Sequence, residues 1–330
     1  MAVESSVGKV PESSVANAML SALTAAALAA SFPATSKFSF RGHNCAYVTA
    51  GSGPPILLLH GFAGSSYNCW RSTVPELAKT HTVYSMDLLG QGQSDQPADV
   101  TYSIDLWREQ SAAFCSEKLN GESPIVIGHS FGSLIALELA ASDVDVKAVG
   151  MMNCGIGMNN KGVLNTLEAE WQIAIAKVFL GLVDLILNQK WLILNVFSDV
   201  ERLQTLVRNA LQGSVYVNAD RVDDELVNDY VSLAADKEAA AEVLRQIYTN
   251  DSGPVPFTAS AKLPADFPIC TIWGDEDNLA PSTGPVGKHF RARATTAEAT
   301  RFDEIRAGHV PQDDNPQVTN AILGEWLASL

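Results

Sequence analysis

The stretch Pro124-Ile125-Val126-Ile127-Gly128-His129-Ser130-Phe131-Gly132-Ser133-Leu134-Ile135-Ala136-Leu137 joins a short, wholly apolar run to a helical pattern through one serine flanked by glycines. It predicts a buried strand at 125–127, a helix over 131–141, and Ser130 on the turn between them. A serine held on so tight a strand-to-helix turn leaves no room for side chains on its neighbours, which accounts for Gly128 and Gly132. Its hydroxyl is then presented at the end of a sheet, where a nucleophile is useful.

Working outward, short apolar runs recur at 45–49, 55–59, 82–86, 146–152, 269–273 and 300–305, and helical periodicity fills 103–118 and 316–329. Continuous apolar strands separated by helices predict a mostly parallel, doubly wound α/β sheet covered on both faces. Between about Gly155 and Pro256 the pattern is helical throughout. The expected organisation is therefore an N-terminal extension (1–36), an α/β core (37–154 and 257–330) and an inserted helical lid (155–256). Residues 13–36 carry no charge, and Val15–Ala30 is Ala-rich. This stretch lacks the positive leader of a secretory signal and the apolar strength of a membrane span, so it reads as a helix packed on the body or the remnant of an organelle-targeting segment.

Serine needs a base to become a nucleophile. In the order Ser, acid, His that this architecture uses, both partners appear downstream. The strand at 269–273 runs into Gly274-Asp275-Glu276-Asp277. A carboxylate just past a strand end can reach the site, and three acids compete there; Asp277 is chosen because Gly-x-x-Asp followed by Pro281 is the arrangement this architecture repeatedly uses, with Asp275 as the alternative. His309, in Ala307-Gly308-His309-Val310-Pro311, follows the last strand and would take the Ser130 proton and return it to the leaving alcohol. Among the other histidines, His43, His81 and His289 lie in unsuitable places, and His129 flanks the serine with its ring expected to turn away. Leu57-Leu58-Leu59-His60-Gly61-Phe62 runs from a strand into a His-Gly loop, so the backbone N–H groups of Phe62 and Phe131 would hold the oxyanion. The glycine-rich Asp87-Leu88-Leu89-Gly90-Gln91-Gly92-Gln93-Ser94-Asp95 lacks the endings of a phosphate or dinucleotide loop and reads as a structural turn.

Composition excludes other classes. A formal net charge of −15, with no long Lys/Arg run, disfavours nucleic acid and simple adhesion to anionic membranes. Five scattered cysteines without a CxxC pair suit buried thiols in a reducing compartment, and no metal or cofactor is implied.

With these residues in place, the chain from about Phe38 to Leu330 resembles the α/β-hydrolase superfamily. His60-Gly61-Phe62, Asp87-x-x-Gly90-x-Gly92-x-Ser94-Asp95, the turn at Ser130, Trp273-Gly274-x-x-Asp277 and Gly308-His309 occur in order. More narrowly, Leu88-Leu89-Gly90, Leu106-Trp107-Arg108-Glu109-Gln110, Asn153-Cys154-Gly155 with Met158-Asn159-Asn160-Lys161, and Gly308 to Asp314 resemble the plastid and cyanobacterial branch containing chlorophyll dephytylase and, more distantly, pheophytinase. The chain departs from it at Gln312, where His is expected, and at His129, where pheophytinases commonly have Asn. The resemblance implies hydrolysis of the phytyl ester of a chlorin pigment, a plastid location and peripheral contact with the thylakoid. A general carboxylesterase or acyl-lipid hydrolase shares the same triad, and a ligand receptor built on a hydrolase body is the non-enzymatic alternative. Dehalogenase and epoxide hydrolase chemistry in this fold starts from an Asp nucleophile, and position 130 is Ser. The apolar run Val178 to Leu194 is expected mostly to form the lid's own core and its seam with the main domain, with a minority lining the pocket or touching thylakoid lipid.

Overall fold

The computed structural model describes residues 32–330; the expected helix or targeting remnant lies, up to residue 31, outside the described residues. Eight strands, β1 (Thr35–Phe40), β2 (His43–Ala50), β3 (Pro55–Leu59), β4 (Thr82–Met86), β5 (Ile125–His129), β6 (Ala148–Met152), β7 (Ile269–Gly274) and β8 (Thr300–Ile305), form one sheet. Their order is β1-β2-β4-β3-β5-β6-β7-β8. The pairs β1–β2 and β2–β4 are antiparallel and every other pair is parallel. Strands β3, β5, β6 and β7 are buried along their whole length, as parallel strands covered on both faces must be.

β1 is absent from the sequence-based expectation and starts inside the stretch assigned to the extension. Its link to β2 is the two-residue turn Arg41-Gly42, with both residues at positive φ (51° and 85°). That is the geometry of a hairpin turn matched to strand twist, but Arg is an unusual first residue for it, so the sequence gives little warning.

Alternation along β3 divides the core. Leu57 and Leu59 join Trp107, Phe114, Phe131 and Leu134 on one face. Ile56 and Leu58 join Trp70, Ile322 and Trp326 on the other. The helices Ile104–Lys118 and Phe131–Ala140 cover the first face, and Pro316–Ala328 covers the second.

Between β6 and β7 every described regular element is helical, including Glu170–Leu187, Lys190–Phe197, Val200–Ala210, Asp224–Ser232 and Lys237–Thr249. One expectation about this insert is reversed. Val178, Phe179, Leu182, Leu185, Ile186 and Trp191 are 55–67% exposed, and of that apolar run only Ile193 is buried. The helix Glu170–Leu187 is apolar nearly all round, but a helix lying on the outside of a domain can cover only one side. Ile173, Leu180, Val183 and Leu187 are half-buried while the rest of its apolar surface faces out.

Candidate active site

The strand order places the site. From β3 the chain steps to β4 on one side, and β5 then pairs with β3 on the other, with Leu59 opposite Gly128. At such a reversal the loops leaving the carboxyl ends of adjacent strands splay apart and leave a crevice. Phe62 follows β3, Ser130 follows β5, Asn153 follows β6, Asp277 follows β7 and His309 follows β8.

Ser130 takes φ 53° and ψ −125°, a conformation costly for any residue with a Cβ, and the flanking glycines make it possible. A Cβ on Gly128 would lie 2.2 Å from Gly132 O, and one on Gly132 would lie 2.3 Å from Leu59 O. Ser130 Oγ–H donates to His309 Nε2 at 3.1 Å, and His309 Nδ1–H donates to Asp277 Oδ2 at 2.8 Å. Asp277 is buried, and its Oδ1 also accepts the N–H groups of Leu279 and Ala280. Burial alone would raise its pKa, but His309, Asn153 and the Ala280 amide bring it down to about 2. Asp275 is exposed and caps the Ala307 N–H instead.

Of the two residues expected to supply oxyanion donors, Phe131 directly follows Ser130, and Phe62 follows Gly61, which packs so closely on Ser130 that a Cβ there would meet Ser130 Cβ at 2.8 Å. Among the described residues no protein acceptor takes the N–H of Phe62 or Phe131. His60 holds this loop: its Nδ1–H donates to Gly61 O and its Nε2 accepts the Leu88 N–H at 3.0 Å, which fixes one neutral tautomer. The Phe131 ring stacks on Trp107 at 5.0 Å between centroids and anchors the start of the helix that follows Ser130.

Several residues in the site escaped sequence reasoning. His129 does not turn away. Its Nε2–H donates to the His309 carbonyl at 2.7 Å, and burial, with the His309 ring beside it, lowers its pKa to about 3. Asn153, at φ 46°, is fully buried. Its side chain donates to Asp277 Oδ2 and accepts the Gly274 N–H at 3.1 Å. The other side of the His309 peptide belongs to the insert. The His309 N–H donates to Val215 O at 2.7 Å, at the end of a π-helical turn, Leu211–Val215. Asp314 accepts from Gly308 N–H with one oxygen it shares with Val217 N–H, and from Asn218 N–H with the other. Asp313 beside it is completely buried and bound by Arg71, Arg221, Ser72 and Tyr216. Burial would raise its pKa, yet the two guanidinium groups hold it below the usual carboxylate range. Arg71 Nη1 reaches on to Asp223, so one buried charge cluster ties the helical insert to the loop carrying His309. Nothing in local sequence marks these partners, which are up to 242 residues apart. Gln312, where the resemblance expects His, is buried and donates to Cys69 Sγ.

Next to Phe62 lies a chamber of about 180 Å³ between core and insert, lined by Phe62, Ala63, Gln91, Val207, Tyr230, Val243, Leu244 and Ile247 among others. Most of these side chains are apolar.

Comparison with known proteins gives one family. The model described as "alpha/beta hydrolase fold" matches residues 54–316. The chain is 38% identical over 93 residues to 2-hydroxymuconate semialdehyde hydrolase of Pseudomonas sp. (strain CF600), covering 28% of this chain and 32% of that protein. It is 24% identical over 313 residues to chloroplastic pheophytinase of Arabidopsis thaliana, covering 84% of this chain and 62% of that one. Matches to several further curated relatives likewise span about a third of each relative's length. Among solved structures, the epoxide hydrolase CorEH superposes with a TM-score of 0.70 at 22% identity, over 90% of this chain and 99% of that one.

Proposed function

The chain belongs to the α/β-hydrolase family, and on that premise we propose that it is a serine ester hydrolase acting on a lipophilic carboxylic ester, the phytyl ester of chlorophyll or pheophytin being the substrate we favour. The observation that carries this reading is the relay Ser130–His309–Asp277, together with an apolar chamber lined by Phe62. In this reading Ser130 Oγ attacks the ester carbonyl while its proton passes to His309 Nε2. Asp277 keeps the Nδ1 proton in place and stabilises the imidazolium. The amides of Phe62 and Phe131 take the charge that develops on the carbonyl oxygen. His309 then protonates the leaving alcohol, and water, activated by the same ring, releases the acid from the acyl-enzyme.

Two features support a lipophilic substrate. The chamber wall is apolar, and the exposed face of the helix Glu170–Leu187 is apolar too, with Trp171 at one end and Trp191 just beyond the other. Along Trp171–Lys190 the charged side chains are Lys177, Asp184 and Lys190, and Asp184 is paired with Lys161. This face thus escapes the acidic charge of the rest of the chain. We propose that it rests on a lipid surface, which fits a plastid membrane. Among the described residues no helix is long and apolar enough to cross a membrane.

The chamber's size favours a second reading. A cavity of ~150 Å³ holds one benzene ring, so the chamber beside Phe62 itself holds a ring or a few carbons. A general carboxylesterase for smaller esters fits it directly.

The test is incubation of the protein and Ser130→Ala with chlorophyll a, pheophytin a and a short p-nitrophenyl ester. Free phytol with chlorophyllide or pheophorbide, absent with the variant, is the expected result. Turnover of the short ester alone would overturn the dephytylase reading and leave the general esterase.

A further inference from the structure

The wall of the chamber beside Phe62 includes three polar side chains, Gln91, Gln96 and Tyr230. They differ in what they can still bind. Both amide atoms of Gln91 are sealed from solvent. Gln96 directs Nε2–H groups to Gly90 O at 3.2 Å and to Leu233 O at 3.1 Å. Tyr230 is half-buried, and among the described residues no hydrogen bond reaches its hydroxyl. Unlike the Gln91 amide, Tyr230 Oη is not among the unpaired atoms closed off from solvent. Among the described residues it is therefore the side-chain donor of this wall that is both unpaired and open to a ligand.

Two other tyrosines, both buried, show what the fold does with a hydroxyl it encloses: Tyr102 donates to Pro97 O and Tyr216 to Asp313 Oδ2. Burial raises the Tyr230 pKa above its ordinary value, with Cys69, Asp229 and Asp313 adding to the rise. The group thus stays protonated and acts as a donor. Its place relative to the site is fixed from two sides. The neighbouring Asp229 accepts from Ser65 Oγ–H at 2.6 Å, three residues past Phe62. The Tyr230 ring packs against the apolar cluster that contains Val310, the residue after His309.

A hydroxyl with access to solvent binds water. A hydrocarbon filling the chamber would strip that water and leave the hydroxyl unpaired, whereas an oxygen at the right position would replace it. A wall of this kind separates two ligands of equal shape by whether they carry an acceptor.

We propose that Tyr230 is a specificity residue: its hydroxyl donates to an ether, carbonyl or hydroxyl oxygen in the part of the ester that lies in the chamber beside Phe62. The ligand class is a lipophilic ester with one acceptor beyond the scissile group. The proposal rests on ester hydrolysis at Ser130.

The test uses the full chain and Tyr230→Phe, which keeps the ring and removes the hydroxyl. The probes are the p-nitrophenyl esters of hexanoate, 3-ethoxypropanoate and 4-methoxybutanoate; the last two carry an ether oxygen where hexanoate has a CH2. For each protein, kcat/KM on each ether ester is divided by that on the hexanoate, so intrinsic reactivity cancels between proteins. At least one ratio should be about fivefold higher in the wild type, as a hydrogen bond between neutral groups implies. Tyr230→Phe should gain on the hexanoate, because no hydroxyl is stripped of water. Equal ratios in the two proteins for both ether esters, with both active on the hexanoate, would overturn the proposal and leave the esterase reading standing. Failure of both proteins on every ester would overturn the esterase reading and the proposal with it. Thermal melting supplies a readout independent of turnover. Tyr230→Phe should melt at or above the wild-type temperature, whereas a clear drop would mean that the hydroxyl is bonded within the fold, and would overturn the proposal.

Discussion

His129 Nε2–H donates to the backbone carbonyl of His309, so the residue preceding Ser130 holds the main chain of His309. The His129 ring is buried and neutral, with its pKa lowered from 6.5 to about 3 by burial first and by the His309 ring second. In the unfolded chain the ring takes up a proton below about pH 6.5, and in the folded protein it does so only near pH 3. Stability is therefore fully present above pH 6.5 and falls as pH drops toward 3, by at most about 1.4 kcal/mol per pH unit from this group. His129→Gln, which retains a donor but does not titrate, should flatten that decline in denaturant midpoints while keeping most activity. His129→Leu should flatten it as well, yet lower kcat, because the His309 carbonyl loses its partner.

Asn153 should act on turnover through Asp277. Its side chain donates to Asp277 Oδ2, the atom that orients His309, and its own backbone sits at φ 46°. A hydrogen bond to a charged group contributes about 1.5–3 kcal/mol, so its loss is expected to lower kcat roughly tenfold or more. Asn153→Gly and Asn153→Ala should lose a similar amount of kcat. The alanine variant should also lose thermal stability relative to glycine, since a left-handed conformation costs a Cβ-bearing residue about 1–2 kcal/mol. Comparable melting of the two variants would contradict this account.

The cluster Arg71–Asp313–Arg221 predicts a large stability effect. Asp313→Asn would leave two guanidinium groups facing a neutral amide in a site where Asp313 is fully buried. Removing one member of a buried pair typically costs about 3–5 kcal/mol. Chemical denaturation should show a loss of that order. Because the same segment carries His309, KM and kcat should both suffer at temperatures where the variant is still folded.

The exposed face of the helix Glu170–Leu187 gives a test of membrane contact that leaves the core untouched. Val178→Glu with Phe179→Glu changes two side chains that are 67% and 65% exposed. The double variant should fold and hydrolyse a soluble short ester as the wild type does, but should lose co-sedimentation with neutral lipid vesicles. Unchanged vesicle binding would exclude this face, and a change of oligomeric state instead would assign it to a second copy of the chain.

Much of the molecule was legible in the order of residues. The strands β3, β4 and β8 lie where the apolar runs put them, and the helices after Ser103 and Ser130 start as their patterns indicate. Ser130, Asp277 and His309 meet at hydrogen-bonding distance. These features are local: a run of buried residues, a glycine forced by close backbone approach, or a side chain just past a strand end each leaves its mark within a few positions.

What the sequence determined by itself was thus the sheet's central strands, the turn that carries Ser130, and the order in which Asp277 and His309 follow it. Tertiary structure alone decided between Asp277 and Asp275, because burial beside His309 is a property of how β7 and β8 lie together. It also decided that His129 turns inward, that Asp313 and Asp314 bind the helical insert to the loop carrying His309, and that the apolar helix at 170–187 turns much of its surface outward. Those contacts join residues far apart in the chain, and hydrophobic pattern states only which side chains avoid water. Which of them find cover depends on how much neighbouring surface the fold can supply, and at the outer helix of the insert it covers one side only.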